Sequence, residues 1–186
     1  MQSKVLFNQD GHQWIVIGRD PEKDSHVIDT NEYVILSRGQ AMLLDPGGIQ
    51  IFPQVLAELA KYVRVQDIRV IFASHQDPDI SSSLAMWLDL NPSIKTYCSW
   101  LWTGFISHFS TGNVMELNAI PDKGMRIKIG DRLYDRTLVL VTDPAEHEAA
   151  IKAKAAKYIP GAKKNWGDWK IPPPEAPQIV YRVVAS

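Results

Sequence analysis

Ile68-Arg69-Val70-Ile71-Phe72-Ala73-Ser74-His75-Gln76-Asp77-Pro78-Asp79 runs an apolar segment straight into a cluster of metal-ligating side chains. Only Arg69 interrupts the run from Ile68 to Ala73, the pattern of a strand buried on both faces. A turn that follows such a strand is where α/β proteins commonly place their sites. His75, Asp77 and Asp79 alternate, so an extended chain carries an imidazole and two carboxylates on one side. Pro78 holds Asp77 toward extended geometry. That donor set suits iron, manganese or zinc, and residue types alone do not choose among them. The same residues also make an ordinary turn that caps the helix after it.

Outward from this stretch the chain reads as β-rich and then as alternating α and β. Trp14-Ile15-Val16-Ile17-Gly18 is a short apolar run. Tyr33–Leu36 and Ala41–Leu44 flank the turn-like Ser37-Arg38-Gly39-Gln40 and read as a hairpin. Asp45-Pro46-Gly47-Gly48 ends it; an Asp there can order a metal-binding loop from behind the ligands, or simply turn the chain into a helix. Val55, Leu56, Leu59, Ala60 and Val63 recur at helical spacing after Pro53, which suits a first turn. Beyond the ligand cluster, Ser81–Leu90 is expected as a helix stopped by Asn91-Pro92, and Ile94–Cys98 as a strand. Trp100–Phe109 is expected as an aromatic helix or turn, Met125–Ile129 and Thr137–Val141 as strands.

The texture changes at Asp143. Asp143-Pro144-Ala145-Glu146 resembles a capping box and opens an Ala- and Lys-rich helix running to Ile159. Six Lys face Glu146, Glu148 and Asp168 between Glu146 and Lys170, a basic stretch that reads as docking or solubilising. Pro172-Pro173-Pro174 is a stiff spacer before a last strand, Ile179–Val184. The domain organisation expected is therefore residues 1–141 and a divergent Lys- and Pro-rich segment, 142–186.

Composition excludes several classes. The chain has 186 residues, 45% hydrophobic and 22% charged, enough for a sizeable core. A net charge of -1 gives no electrostatic case for nucleic acid or an anionic membrane. One cysteine rules out an internal disulfide framework. With no signal-like or membrane-length apolar run, the expected address is cytoplasmic. The remaining candidates read blandly. His108, among aromatics, is expected in the core; His12 and His26 on the surface; Trp100 and Trp102 as packing; Cys98 as a buried thiol.

Leu43-Leu44-Asp45-Pro46-Gly47-Gly48, followed after a helix and a strand by Ser74-His75-Gln76-Asp77-Pro78-Asp79, resembles the metallo-β-lactamase fold. Within it the likeness is to the flavodiiron-like branch of oxygen-binding di-iron proteins. Asp67-Ile68-Arg69, Leu84-Ala85-Met86-Trp87-Leu88, Trp102-Thr103-Gly104-Phe105 and Ile120-Pro121-Asp122-Lys123-Gly124-Met125 support it, over a span from Val27 to Ile129. The resemblance implies an α/β protein, an αββα sandwich incomplete or divergent in its second half. It also implies two metal ions, usually iron, that bind or reduce dioxygen.

The family's first ligand motif reads His-x-Glu-x-Asp-His. His75 and Asp79 match it, Asp77 matches as a shorter carboxylate, and Ile80 stands where a ligand is lost. Asp45 would support the loop without touching metal. For the second half, Glu146 or His147 lies about where the next ligand belongs, and Asp168 about where the bridging Asp belongs. Glu146 has a local explanation as a helix-start residue, His147 as a residue on a solvated helix face, and Asp168 lacks a preceding apolar strand.

The chain is too short for the FMN-holding flavodoxin domain of full flavodiiron proteins, so electrons would come from another protein. A homodimer is a further expectation carried by the family. Two alternatives stand beside this reading. One is a degenerate or truncated copy without catalysis, its tail after residue 131 a divergent replacement or a shifted reading frame. The other is a metal-dependent hydrolase, against which the loss of His after Asp79 counts.

Overall fold

The computed structural model describes residues 1–19, 30–110, 112, 115–121, 124–133, 136–140, 142–158 and 181–185. Contacts divide the chain into two units, Met1–Tyr134 and Asp135–Ser186.

The first unit is built on one seven-stranded mixed sheet in chain order. β1 (Gln2–Gln9), β2 (His12–Gly18), β3 (Glu32–Ser37) and β4 (Gln40–Leu44) form an antiparallel meander. β5 (Ile68–Ala73), β6 (Lys95–Ser99) and β7 (Leu117–Ile120) continue it in parallel from β4. Parallel neighbours require crossovers, and the helices supply them: α1 (Phe52–Leu59), α2 (Pro78–Ser81), α3 (Leu84–Leu90) and α4 (Trp100–Ile106).

One face of the sheet is fully sealed. Ile15, Ile17, Val34, Leu43, Ile71, Ala73 and Cys98 are at most 1% exposed and form one cluster with Val55, Leu59, Leu84, Trp87 and Ile106 of the helices. Trp87 anchors this layer, edge-on to Phe52 with ring centroids 4.9 Å apart.

The opposite face carries a smaller cluster of Met42, Val70 and Ile129. There a two-stranded hairpin, β8 (Lys128–Ile129) and β9 (Arg132–Leu133), lies against the sheet. Asp131 at its turn accepts from Arg38 Nε at 3.0 Å, and Gly130 N–H donates to Gln40 Oε1 at 3.2 Å.

In the second unit β10 (Arg136–Leu140) pairs antiparallel with β11 (Tyr181–Ala185), and α5 spans Pro144–Tyr158. Asp143 caps α5: its Oδ1 accepts from Ala145 N–H at 2.9 Å.

Several expectations need correction. β1 and β7 were not legible as strands. The helix expected from Pro53 to Val63 stops at Leu59, and Ala60 caps it. The helix expected over Ser81–Leu90 is broken at Ser82-Ser83, because Ser83 N–H turns to Gly47 O (3.1 Å) and Ser83 Oγ to Pro46 O (2.8 Å). Of Met125–Ile129 only Lys128-Ile129 is strand. His12 is buried, covered at the hairpin end with Asp131 Oδ1 3.9 Å from its Nε2, whereas His108 is exposed on a 3-10 turn after α4. Trp100 is 72% exposed rather than packed. Cys98 is buried as expected, and burial pushes its thiol up. His26 lies outside the described residues.

Candidate metal centre

Two loops meet at the carboxyl ends of β4 and β5. Asp45 leaves β4 with φ +63, a left-handed conformation that Asp tolerates better than most residues, while its N–H still reaches Phe72 O at 2.8 Å. This turns its carboxylate onto the next loop. Oδ1 accepts from Ser74 N–H at 2.7 Å and Oδ2 from Ser74 Oγ at 2.8 Å. Ser74 immediately precedes His75, so both oxygens of one carboxylate fix the start of the candidate loop. Burial pushes the Asp45 carboxyl above its usual range; the Ser74 hydrogen bonds and the nearby His75 pull it part of the way back.

The glycines explain how the loops come so close. Gly47 has φ +82, and a Cβ there would lie 3.0 Å from Glu32 Oε1 and 3.1 Å from Ile51 Cδ1. A Cβ on Gly48 would lie 3.2 Å from Asp79 Cα. Gly47 N–H donates to Ile80 O at 2.9 Å, and Trp87 Nε1 donates to Pro46 O at 3.2 Å. Thr30 Oγ1 donates to Asp79 O at 3.2 Å and also to the buried Glu32. The His75 loop is thus laced to the Asp45–Gly48 turn, and that turn is tied to the sealed layer through Ser83 and Trp87.

His75 and Asp77 come together: His75 Nδ1 lies 3.3 Å from Asp77 Oδ2 and accepts from Asp77 N–H at 3.3 Å. Both side chains are about half exposed, at 43% and 54%. The ring of Trp102, on α4, lies 4.9 Å from that of His75. Asp77 is extended (φ -61, ψ 144), but Pro78 then starts α2, so Asp79 stands in a helical first turn. The alternation expected to put three side chains on one side of an extended segment therefore ends at Asp77. Asp77 caps α2 with its backbone carbonyl, which accepts from Ile80 and Ser81 N–H, and not with its side chain.

Glu146 and His147 stand in the first turns of α5, in the second unit, each half-buried. Asp168 lies outside the described residues. Among the described residues no three His, Cys, Asp or Glu side chains gather as a metal-holding group. Sequence reading gave no role to Ser74 or Ser83, and took Trp102 only as packing. A hydroxyl directly after a strand and a serine before an apolar helix were the available signals, but their partners lie 29 and 37 residues away.

A mixed sheet with helices over one face, and the solved structures it resembles, place the molecule in the metallo-β-lactamase-fold class. The family model described as "ODP family beta lactamase" matches residues 28–151, two-thirds of the chain. The chain belongs to that family.

A solved structure described as the peroxy diiron species of the chemotaxis sensor ODP is 36% identical, with a TM-score of 0.57 over 69% of this chain and 49% of that one. A putative diflavin flavoprotein A 5 fragment from Nostoc sp. PCC 7120 is 16% identical, with a TM-score of 0.57 over 77% and 59%. The metallo-β-lactamase SMB-1 is 13% identical, with a TM-score of 0.55 over 74% and 52%. The last two show the fold alone. The chain spans about half the length of the ODP sensor. No match was found among curated proteins. Among the described residues, no helix is long and apolar enough to cross a membrane.

Proposed function

We propose that this chain is an iron-binding protein of the ODP family whose His75 loop takes part in holding iron and binding dioxygen. The observation that carries this reading is the construction of the loop. Asp45 commits both carboxylate oxygens to Ser74, and His75 and Asp77 follow as an adjacent, half-exposed imidazole and carboxylate. The donor chemistry fits iron, since imidazole and carboxylate both suit it. It fits in part only: His75 and Asp77 are already together, Asp79 follows in the first turn of α2, and Ile80 offers nothing.

In this reading His75, Asp77 and Asp79 would hold the metal, and Asp45 and Ser74 would fix the loop behind them. Trp102 would cover one side of the imidazole. The bound iron would supply the dioxygen-binding chemistry. The ODP relative is a chemotaxis sensor by its description, and a sensing role is the form this proposal takes here. Reduction of dioxygen with electrons from a partner protein is the enzymatic variant of the same proposal.

A second reading has its own support. The absence of a three-ligand group among the described residues, with Ile80 in a ligand position, favours a copy that keeps the fold and not the chemistry. One experiment separates them. The protein is loaded anaerobically with ferrous iron, desalted, and its visible spectrum recorded before and after admitting air. The first reading expects an oxygen-dependent band that disappears in His75→Ala; a featureless spectrum with no retained iron supports the second.

A further inference from the structure

We propose that Gln76, the residue between His75 and Asp77, is a positioning residue whose side-chain amide holds the Asp77 carboxylate ready for metal. The inference rests on the reading of the His75 loop as an iron site and adds a residue to it.

Along an extended chain, neighbouring side chains turn to opposite sides. By that rule Gln76 faces away from both His75 and Asp77. Its side chain instead comes back to the next residue, and Nε2 donates to Asp77 Oδ1 at 3.0 Å. The second oxygen, Oδ2, lies 3.3 Å from His75 Nδ1, which also accepts from Asp77 N–H at 3.3 Å. The two oxygens of one carboxylate therefore have different neighbours, an amide at Oδ1 and an imidazole at Oδ2.

The two ends of the Gln76 amide are just as unequal. An ionised carboxylate only accepts, so the N–H end must be the one that meets Asp77. The other end, Oε1, is buried and has no hydrogen-bond partner among the described residues, although Gln76 as a whole is half-buried. An enclosed acceptor without a donor is costly. That cost is borne in the same side-chain conformation that brings Nε2 to Asp77.

Asp77 has few other restraints. Its side chain is 54% exposed, and ordering an exposed side chain for a metal loses rotamer freedom. A partner that has already ordered it removes part of that loss. Carboxylates that ligate metals are themselves hydrogen-bonded, and losing such a partner typically weakens metal binding by about 10- to 100-fold. An amide also suits the task better than a cation. Lysine or arginine at position 76 could hold the same oxygen, but would repel a metal ion arriving beside it.

Anaerobic titration of the full chain with ferrous iron, in competition with a chromophoric chelator, tests this. Gln76→Met keeps the side-chain length and removes the N–H. It is expected to bind iron about 10- to 100-fold more weakly than wild type, with an unchanged metal-free thermal melt. A double-mutant cycle separates positioning from packing. If Gln76 acts through the carboxylate, adding Gln76→Met to Asp77→Ala should weaken binding by less than about twofold further. Should Asp77→Ala bind too weakly to measure, the affinity and melt of Gln76→Met carry the test. Wild-type affinity in Gln76→Met, or the same loss in both backgrounds, overturns this inference and leaves the iron reading standing. A folded wild type that takes up no iron overturns both.

Discussion

The two faces of the one sheet differ sharply. Ile15, Leu43 and Ile71 point into the helical layer and are wholly buried, while their strand neighbours Trp14, Leu44 and Phe72 point the other way and keep contact with solvent. The same strands therefore hold a finished core on one side and an unfinished one on the other. The turn behind the His75 loop is tied to the finished side: Pro46 O receives both Ser83 Oγ and Trp87 Nε1. In this molecule the sealed layer carries the main core and anchors the turn behind the candidate site.

The largest effect should come from the sealed side. Trp87→Ala removes a fully buried indole, its contact with Phe52 and its bond to Pro46 O, and is expected to cost about 3–5 kcal/mol. Trp14→Ala on the open face should cost about 1 kcal/mol or less. Equal losses in urea denaturation would break the comparison.

Next comes the turn under the loop. Gly47→Ala must hold a left-handed φ and push on Glu32 and Ile51, so a loss of about 1–3 kcal/mol is expected in the same assay. Ser83→Ala leaves Pro46 O with one donor in place of two and should lose about 1 kcal/mol.

The smallest effect lies at the open edge, where Glu58 of α1 holds β1. Its Oε2 accepts from Ser3 N–H and Ser3 Oγ, and Lys61 donates to Oε1; the Lys61 and Ser3 bonds hold the carboxyl below its usual range. A lowered folded pKa gives stability that is present above the unfolded value and lost as pH falls through the folded one. Glu58→Gln should therefore be less stable than wild type by under ~1 kcal/mol near neutrality. The gap should close in acid, as thermal melts at several pH values would show.

The parts of this fold that sequence reading recovered are those with local causes. The apolar run of β5, the β3–β4 hairpin, Pro53 at the start of α1 and the Asp143 cap each announce themselves within a few residues. What was missed depends on distant partners. β1 exposes Val5, Leu6 and Phe7 and shows no clean alternation. His12 looks solvated in its polar setting but is buried, with Asp131 of the distant hairpin turn 3.9 Å from its Nε2. The break between α2 and α3 is made by Pro46 and Gly47, far back in the chain. In the candidate site the ligand types were legible and their convergence was not. Pro78, read as keeping the segment extended, also starts the helix that carries Asp79.

Metal content measured directly on the protein tests the central claim most closely. After anaerobic exposure to ferrous iron and removal of the excess, elemental analysis should find at least one iron per wild-type chain and a large loss of iron in both His75→Ala and Asp79→Asn. No retained iron in a folded wild type, or the same iron content in all three proteins, would contradict it.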